Sequence, residues 1–177
     1  YLEIPSEVVG QQMIQGISSF TLLAIPFFIL TGQIMGEGGL ALRLVNMATL
    51  VVGRVRGGLA MVNSIACMLF GNISGSAVAD ASSVGSVMIP MMKQKGYDAD
   101  YSVGVTISSA IQGVVVPPSH NLVLYSIAAG GLSIKSLFLA GIMPGFVLLS
   151  SLLVTSYIIA GKRGYQPSDP IPKERWA

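Results

Sequence analysis

The sequence predicts an all-α integral membrane fold of transmembrane helices, a re-entrant helical hairpin and a broken helix. Of 177 residues, 52% are hydrophobic and only 10% charged, against about 25% charged in a soluble domain. The charges are clustered: none lies from Val8 to Gly36, Gly57 to Ala79, Ala81 to Met92, Tyr101 to Ile134 or Ser136 to Gly161. Runs so long and so apolar read as bilayer segments. Two of them are interrupted near the middle by helix breakers, at Gly71–Ser76 and Gly113–Pro118.

Composition also excludes classes. No basic tract interleaved with aromatics points to nucleic acid. The single cysteine, Cys67, can form neither an internal disulfide nor a zinc spacing; inside an apolar run it reads as a small buried hydrophobe. The chain opens without Met and has no signal-peptide layout, so it reads as a piece of a longer polypeptide.

Residues 1–19 are a mixed N-terminal flank containing Glu3, Glu7, Gln11, Gln12 and Gln15. A transmembrane helix follows over 20–36, ended by Glu37-Gly38-Gly39. Over 37–56, Leu40, Leu44, Met47 and Val51 recur at i, i+4, i+7 and i+11, which suits an amphipathic interfacial arm helix. A short extension of the preceding span fits the same residues.

Residues 57–95 form the hairpin. Gly57 to Met92 is 36 residues with one charge, Asp80. As one helix it would be about 54 Å long, against a hydrocarbon core of about 30 Å. Its middle, Gly71-Asn72-Ile73-Ser74-Gly75-Ser76, is poor helix material. Two half-length helices joined there fit better. Arg54 and Arg56 precede the segment and Lys93 and Lys95 follow it, so the positive-inside rule puts both ends in the cytoplasm. Two full crossings would also return to one side, but need about 40 residues plus a turn.

Residues 98–134 make the broken transmembrane helix. Pro117 and Pro118 remove two backbone donors and push the residues before them out of helical geometry. Lys135 is the lone charge at the far, outer end. A transmembrane helix over 136–161 returns to Lys162-Arg163 inside, with Tyr157, Tyr165 and Trp176 as interfacial anchors. Pro167, Pro170 and Pro172 make 162–177 an extended cytoplasmic tail or linker.

Irregular backbone at membrane depth is tolerated only where it lines a cavity or is buried in protein. Two such breaks are the pattern of a transporter site built from discontinuous helices, although a channel filter uses similar parts. Carbonyls ending the first arm, around Phe70 and Gly71, suit a cation. Amides opening the second, near Gly75 and Ser76, suit an anion, with Ser74 or Ser76 as cap. Ser76, Asp80 and Ser83 share one helical stripe; Ser102, Thr106, Ser109 and Gly113 share another, with Gln112 adjacent. Hydroxyl oxygens are hard ligands for a small cation, and small polar residues also let membrane helices pack.

Asp80 is the only acid inside a membrane segment, which marks it as functional by default. It could ligate a cation, carry a proton or satisfy amides at the hairpin tip. His120, the only histidine, titrates near neutrality and suits proton coupling or neutral hydrogen bonding near a substrate. Asn121 beside it offers donors and acceptors. A serine and a histidine also allow an intramembrane serine protease, with Ser74 as nucleophile and His120 as base. However, two residues separate Gly71 from Ser74 where the rhomboid pattern has one. A membrane scaffold is a third class.

The segments Gly71-Asn72-Ile73-Ser74-Gly75-Ser76-Ala77-Val78-Ala79-Asp80, Pro90 and Lys95-Gly96-Tyr97 resemble the large membrane subunit of TRAP transporters. So do Pro26-Phe27-Phe28-Ile29-Leu30-Thr31-Gly32, Arg56-Gly57-Gly58-Leu59-Ala60 and Val115-Val116-Pro117-Pro118-Ser119. The resemblance runs from Phe20 to Gly161 and implies half of an inverted-repeat elevator transporter, since family members are more than twice this length. It implies no enzyme activity and no cofactor. What it does imply is a sodium-driven importer of an organic acid in a bacterial inner membrane, served by a periplasmic substrate-binding protein and a small membrane subunit, separate or fused. By the family pattern Asn72, Ser74, Gly113 and Val116 look like a sodium site. Ser76, Asp80, Ser119, His120 and Asn121 fall to the substrate. Ser119-His120-Asn121 looks more like the sialic-acid branch than the C4-dicarboxylate branch.

Overall fold

The structure is a computed structural model that describes residues 6–17, 26–27, 30–31, 34 and 37–165. The span expected over 20–36, and the tail beyond 165 with Trp176, lie largely or wholly outside the described residues.

Every described element is a helix: α1 (Ser6–Ile17), α2 (Leu40–Val52), α3 (Gly58–Ser74), α4 (Ala77–Gln94), α5 (Ala99–Gly113), α6 (His120–Ala128) and α7 (Ile134–Arg163). α7 has 30 residues and is long and apolar enough to cross a membrane; at 1.5 Å per residue it is about 45 Å long.

Helix ends follow the local chemistry. α3 runs on to Ser74 because nothing before Gly75 forces it out of helical geometry. Gly75 then turns left-handed (φ 61°) and donates its N–H to Gly71 O at 2.7 Å, a glycine C-cap. Ser76 opens α4, its Oγ accepting from Ala79 N–H at 3.3 Å. The joint between the arms is therefore Gly75-Ser76 rather than the six residues expected. The second break spans residues 114–119 between α5 and α6, and its Pro117–Pro118 peptide is cis.

The core lies among α2, α3, α4 and α5, with Val45, Leu59, Val62, Phe70, Val84 and Met88 buried. α2 packs its small side chains inward and leaves part of its apolar stripe outside. Ala41, Val45, Ala48 and Thr49 are buried, whereas Met47 and Val51 are exposed. Small residues bring membrane helices close, and large apolar ones gain nothing by leaving lipid for protein.

One end of the bundle collects the charges. A Cβ on Gly57 would meet Ala160 Cβ at 2.6 Å, so the α2–α3 turn, with Arg54 and Arg56, sits against the end of α7. The α4–α5 turn joins the same end through Asp98, which pairs with Arg163 and accepts from Tyr165 OH at 2.8 Å. Tyr165, expected as an interfacial anchor, is buried and stacks on Tyr97 with ring centroids 4.1 Å apart. The two breaks lie toward the other end. A Cβ on Gly145 would overlap Val116 Cγ2 at 2.3 Å, and one on Gly141 would sit 3.0 Å from Val115 O. The second break is therefore level with residues 141–145, and α7 continues about 10–16 Å past it toward Ile134.

Candidate functional site

The two breaks meet. A Cβ on Gly71 would fall 2.8 Å from Gly113 Cα and 3.1 Å from Asp80 Oδ2; one on Gly113 would fall 2.6 Å from Cys67 O and 3.0 Å from Asp80 Oδ2. Only glycine lets α3 and α5 touch backbone to backbone here. Asp80, in the first turn of α4, closes the third side. One turn on, a Cβ on Gly75 would lie 2.1 Å from His120 Nδ1. The hairpin turn thus rests on the imidazole that opens α6.

This junction gathers polar atoms without protein partners. Asn72 Oδ1, both carboxylate oxygens of Asp80, both amide atoms of Gln112, Ser119 Oγ and His120 Nδ1 are buried with no hydrogen bond. Asp80 is wholly buried and Gln112 nearly so. Orphaned buried groups cost about 1–3 kcal/mol each, more when charged, so such a cluster calls for a ligand, ion or water. The expected capping of tip amides by Asp80 is not seen. The nearby Cys67 thiol donates to Asn63 Oδ1 at 3.4 Å.

Ser74 Oγ accepts from Ser76 N–H at 3.3 Å, which leaves the hydroxyl a second lone pair. Ser76 is the α4 cap; Ser119 begins α6 without a side-chain cap bond. Gly113 and Val116 are buried on the two sides of the second break's start, whereas Asn121, next to His120, is exposed on α6. The Gly71 carbonyl, expected to be free, is taken by Gly75 N–H. The carbonyls left over at a helix end therefore lie beyond Gly71. No hydrogen bond joins Ser74 to His120 among the described residues, so no nucleophile–base pair forms.

The α5 stripe turns out to divide. Thr106 Oγ1 accepts from Asn63 Nδ2 at 2.6 Å and Ser109 Oγ pairs with Ser64 Oγ at 2.9 Å. Ser102 and Thr106 also bond back to the carbonyls of Asp98 and Ser102. These hydroxyls join helices. Asn63 and Ser64 were missed, although Asn63, Cys67 and Gly71 at i, i+4 and i+8 mirror the α5 stripe.

Comparison with known proteins gives the family. Residues 1–176 match the family model described as tripartite ATP-independent periplasmic transporter, DctM component. The chain is 46% identical to the sialic acid TRAP transporter large permease protein SiaM of Vibrio cholerae, over 88% of this chain and 36% of that protein. It is 36% identical to the C4-dicarboxylate large permease protein DctM of Rhodobacter capsulatus, over 98% of this chain and 43% of that one. It is 40% identical to the 2,3-diketo-L-gulonate large permease protein YiaN of Escherichia coli, over 84% and 35%. The chain spans less than half the length of these relatives. Their shared activity is permeation, not enzymatic catalysis, and the chain belongs to the DctM component family of tripartite ATP-independent periplasmic transporters.

Proposed function

We propose that this chain is the hairpin-bearing half of a sodium-coupled importer for a carboxylate-bearing organic anion. The parent sits in a bacterial inner membrane beside a small membrane subunit and takes its cargo from a periplasmic binding protein. One observation supports this above others: apart from the Tyr97 and Tyr101 hydroxyls at the charged end, the buried polar atoms without partners among the described residues lie at the two helix breaks and on Asp80 beside them, and they are donors or acceptors suited to a small cation and an oxyanion.

Sodium falls to Asn72 Oδ1, Ser74 and backbone carbonyls at Gly113 and Val116, with the Asp80 carboxylate adjacent as counter-charge. Oxygen donors of this hardness suit an alkali cation. Substrate falls to the amide end of α4 at Ser76 and of α6 at Ser119, with His120, Asn121 and Asp80 around it; helix N-termini attract carboxylates. Sodium orders the tip and the ordered tip completes the anion site, so each ligand binds better once the other has set the geometry.

Residues 57–95 then form a re-entrant hairpin. Its tip lies level with the interior of α7 rather than its far end, as a hairpin that stops partway through the bilayer would. Hairpin and broken helix (98–134) move together as an elevator against a scaffold, with 37–56 as interfacial arm and 162–177 on the cytoplasmic side. The relatives named for sialic acid, C4-dicarboxylates and diketogulonate share a carboxylate. The substrate is sialic acid or a C4-dicarboxylate.

The test is uptake into proteoliposomes holding the full-length parent, its small subunit and its binding protein. Sialic acid and succinate are compared with and without an inward sodium gradient. Uptake requiring both sodium and the binding protein is expected, with the sodium dependence lost in Ser74→Ala. Unchanged sodium dependence in that variant would remove the assignment.

A further inference from the structure

We propose that the groove between α5 and α7 binds one phospholipid with a zwitterionic, amine-bearing headgroup. The groove is about 380 Å³ and lies away from the helix breaks, toward the charged end of the bundle.

Its lining is graded along its length. Asp100, Tyr101 and Arg163 stand at the mouth; Val105, Leu152 and Ile159 line the interior together with Ser108 and Thr155. From Asp100 to Ser108 along α5 is about 12 Å, so the lining passes along the helices from charged groups to uncharged ones, Val105, Ile159 and Leu152 with the hydroxyls of Ser108, Thr155 and Ser156. In a helix bundle crossing a membrane, that axis is the bilayer normal. A phospholipid has the same order: charged head at the interface, esters below, acyl chain inward. Gly104 opens the wall, since a Cβ there would meet nothing within 4 Å.

The mouth also selects the head. Arg163 is fixed before any lipid arrives: one guanidinium nitrogen pairs with Asp98 and Tyr165, and its Cζ lies 5.8 Å from the Tyr101 ring centroid, over the ring. The remaining donors of its fork suit a phosphate. Asp100, an exposed carboxylate at the same mouth, suits an ammonium and repels a purely anionic head. Phosphatidylethanolamine meets both demands, whereas phosphatidylglycerol lacks the ammonium. Phosphatidylcholine offers no N–H to the carboxylate. Basic sites between membrane helices are known settings for lipid heads; the acid beside the base here shifts the choice to a zwitterion.

The experiment uses the full-length transporter with its small subunit, delipidated in mild detergent and titrated with each of the three lipids under native mass spectrometry. One retained phosphatidylethanolamine is expected. Gly104→Leu starts from a Cβ that meets nothing and puts a bulky side chain in the groove, and it should cut retention about tenfold, the equivalent of roughly two buried methylenes of acyl contact. Its unchanged melting temperature would separate this from misfolding. Asp100→Asn should narrow the preference over phosphatidylglycerol by about fivefold, the upper range for an exposed ion pair. Undiminished retention in Gly104→Leu would overturn the site, and equal retention of the three lipids by the wild type would overturn the headgroup. A cysteine in Gly104→Cys that cross-links to another protein segment would give the groove to that segment instead.

Discussion

Gly113→Ala is the sharpest perturbation of the junction. The added methyl would lie 2.6 Å from Cys67 O, where ordinary contact begins at 3.4 Å. The obstacle is backbone on a facing helix, so no rotamer change relieves it; α3 and α5 must part by several tenths of an ångström. A gap of 0.5–1 Å already forfeits roughly a quarter to a half of each dispersion contact along the seam. Overpacking of this kind costs about 1–3 kcal/mol. The opposing gain in helix propensity is at most about 1 kcal/mol and smaller here, because Gly113 is the last residue of α5. Cys67 is fully buried under the seam and reports its opening. In the full-length parent with other cysteines replaced, its labelling by a thiol reagent should accelerate about 5- to 150-fold, the rate equivalent of that cost. Gly104→Ala, on the same helix with open space around it, should not accelerate it. Equal labelling of the two variants would refute the backbone contact.

Asp80→Asn removes a buried carboxylate that has no protein hydrogen bond, so the sodium-free protein should melt no lower than wild type while the rise on adding sodium disappears; a sodium-induced rise of undiminished size would separate Asp80 from the cation. Asn63→Ala and Thr106→Ala should couple by about 0.6 kcal/mol in a double-mutant cycle of unfolding, the average for membrane hydrogen bonds, and additive effects would mean the 2.6 Å bond contributes nothing. The Tyr165 hydroxyl and then the Arg163 guanidinium hold Asp98 below its usual carboxylate range. The folded clasp binds fewer protons than the unfolded chain, so its contribution is present above the ordinary carboxylate pKa and fades as pH falls through the lowered one. Protection factors at the end of α7, exchange corrected for its intrinsic pH dependence, should fall on acidification in wild type and be low and pH-independent in Asp98→Asn. Gly145→Ala should slow uptake and Val116→Ala should restore packing to that variant, because the methyl would overlap Val116 Cγ2; no rescue in a thermal melt would discard the contact.

The breaks were legible because their cause is local. Glycine, proline and a short serine cap act through their own backbone, and the residues that interrupt the charge-free runs also interrupt the helices. The exact joint was less legible: Asn72, Ile73 and Ser74 each disfavour a helix weakly, and packing of Phe70, Gly71 and Ser74 into the core keeps α3 intact to Gly75. The small inward face of α2, Ala41, Val45, Ala48 and Thr49, was not legible, because small residues leave no strong hydrophobic signal. The role of the α5 hydroxyls depends on Asn63 and Ser64, more than 40 positions away, and no local pattern reveals such a partner. Tyr165 was misplaced for the same reason, its stacking partner Tyr97 lying 68 positions earlier in the chain.

The division within the α3–α5 seam supports the proposed site. From Asp98 up to Ser109 each polar side chain on the facing stripes has a protein partner: Ser102 with the Asp98 carbonyl, Thr106 with Asn63, Ser109 with Ser64. At Gln112 and Asp80 the partners stop, and they remain missing through Ser119 and His120. Glycines replace side chains at the same level, so nothing from the protein can fill the role. A bonded seam is stiff and holds two helices in register; an unbonded continuation of it is a seam with ligand positions left open. The ladder below fixes where the glycines cross, and the crossing fixes Asp80 against both helices. If the proposed sodium site is right, loosening the ladder weakens it without touching a ligand, so Asn63→Ala is expected to lower sodium affinity while Ser86→Ala, on the exposed face of α4, leaves it unchanged. Sodium titrations of the melting temperature compare the two directly, and equal affinity in both variants would mean that the seam and the site are independent.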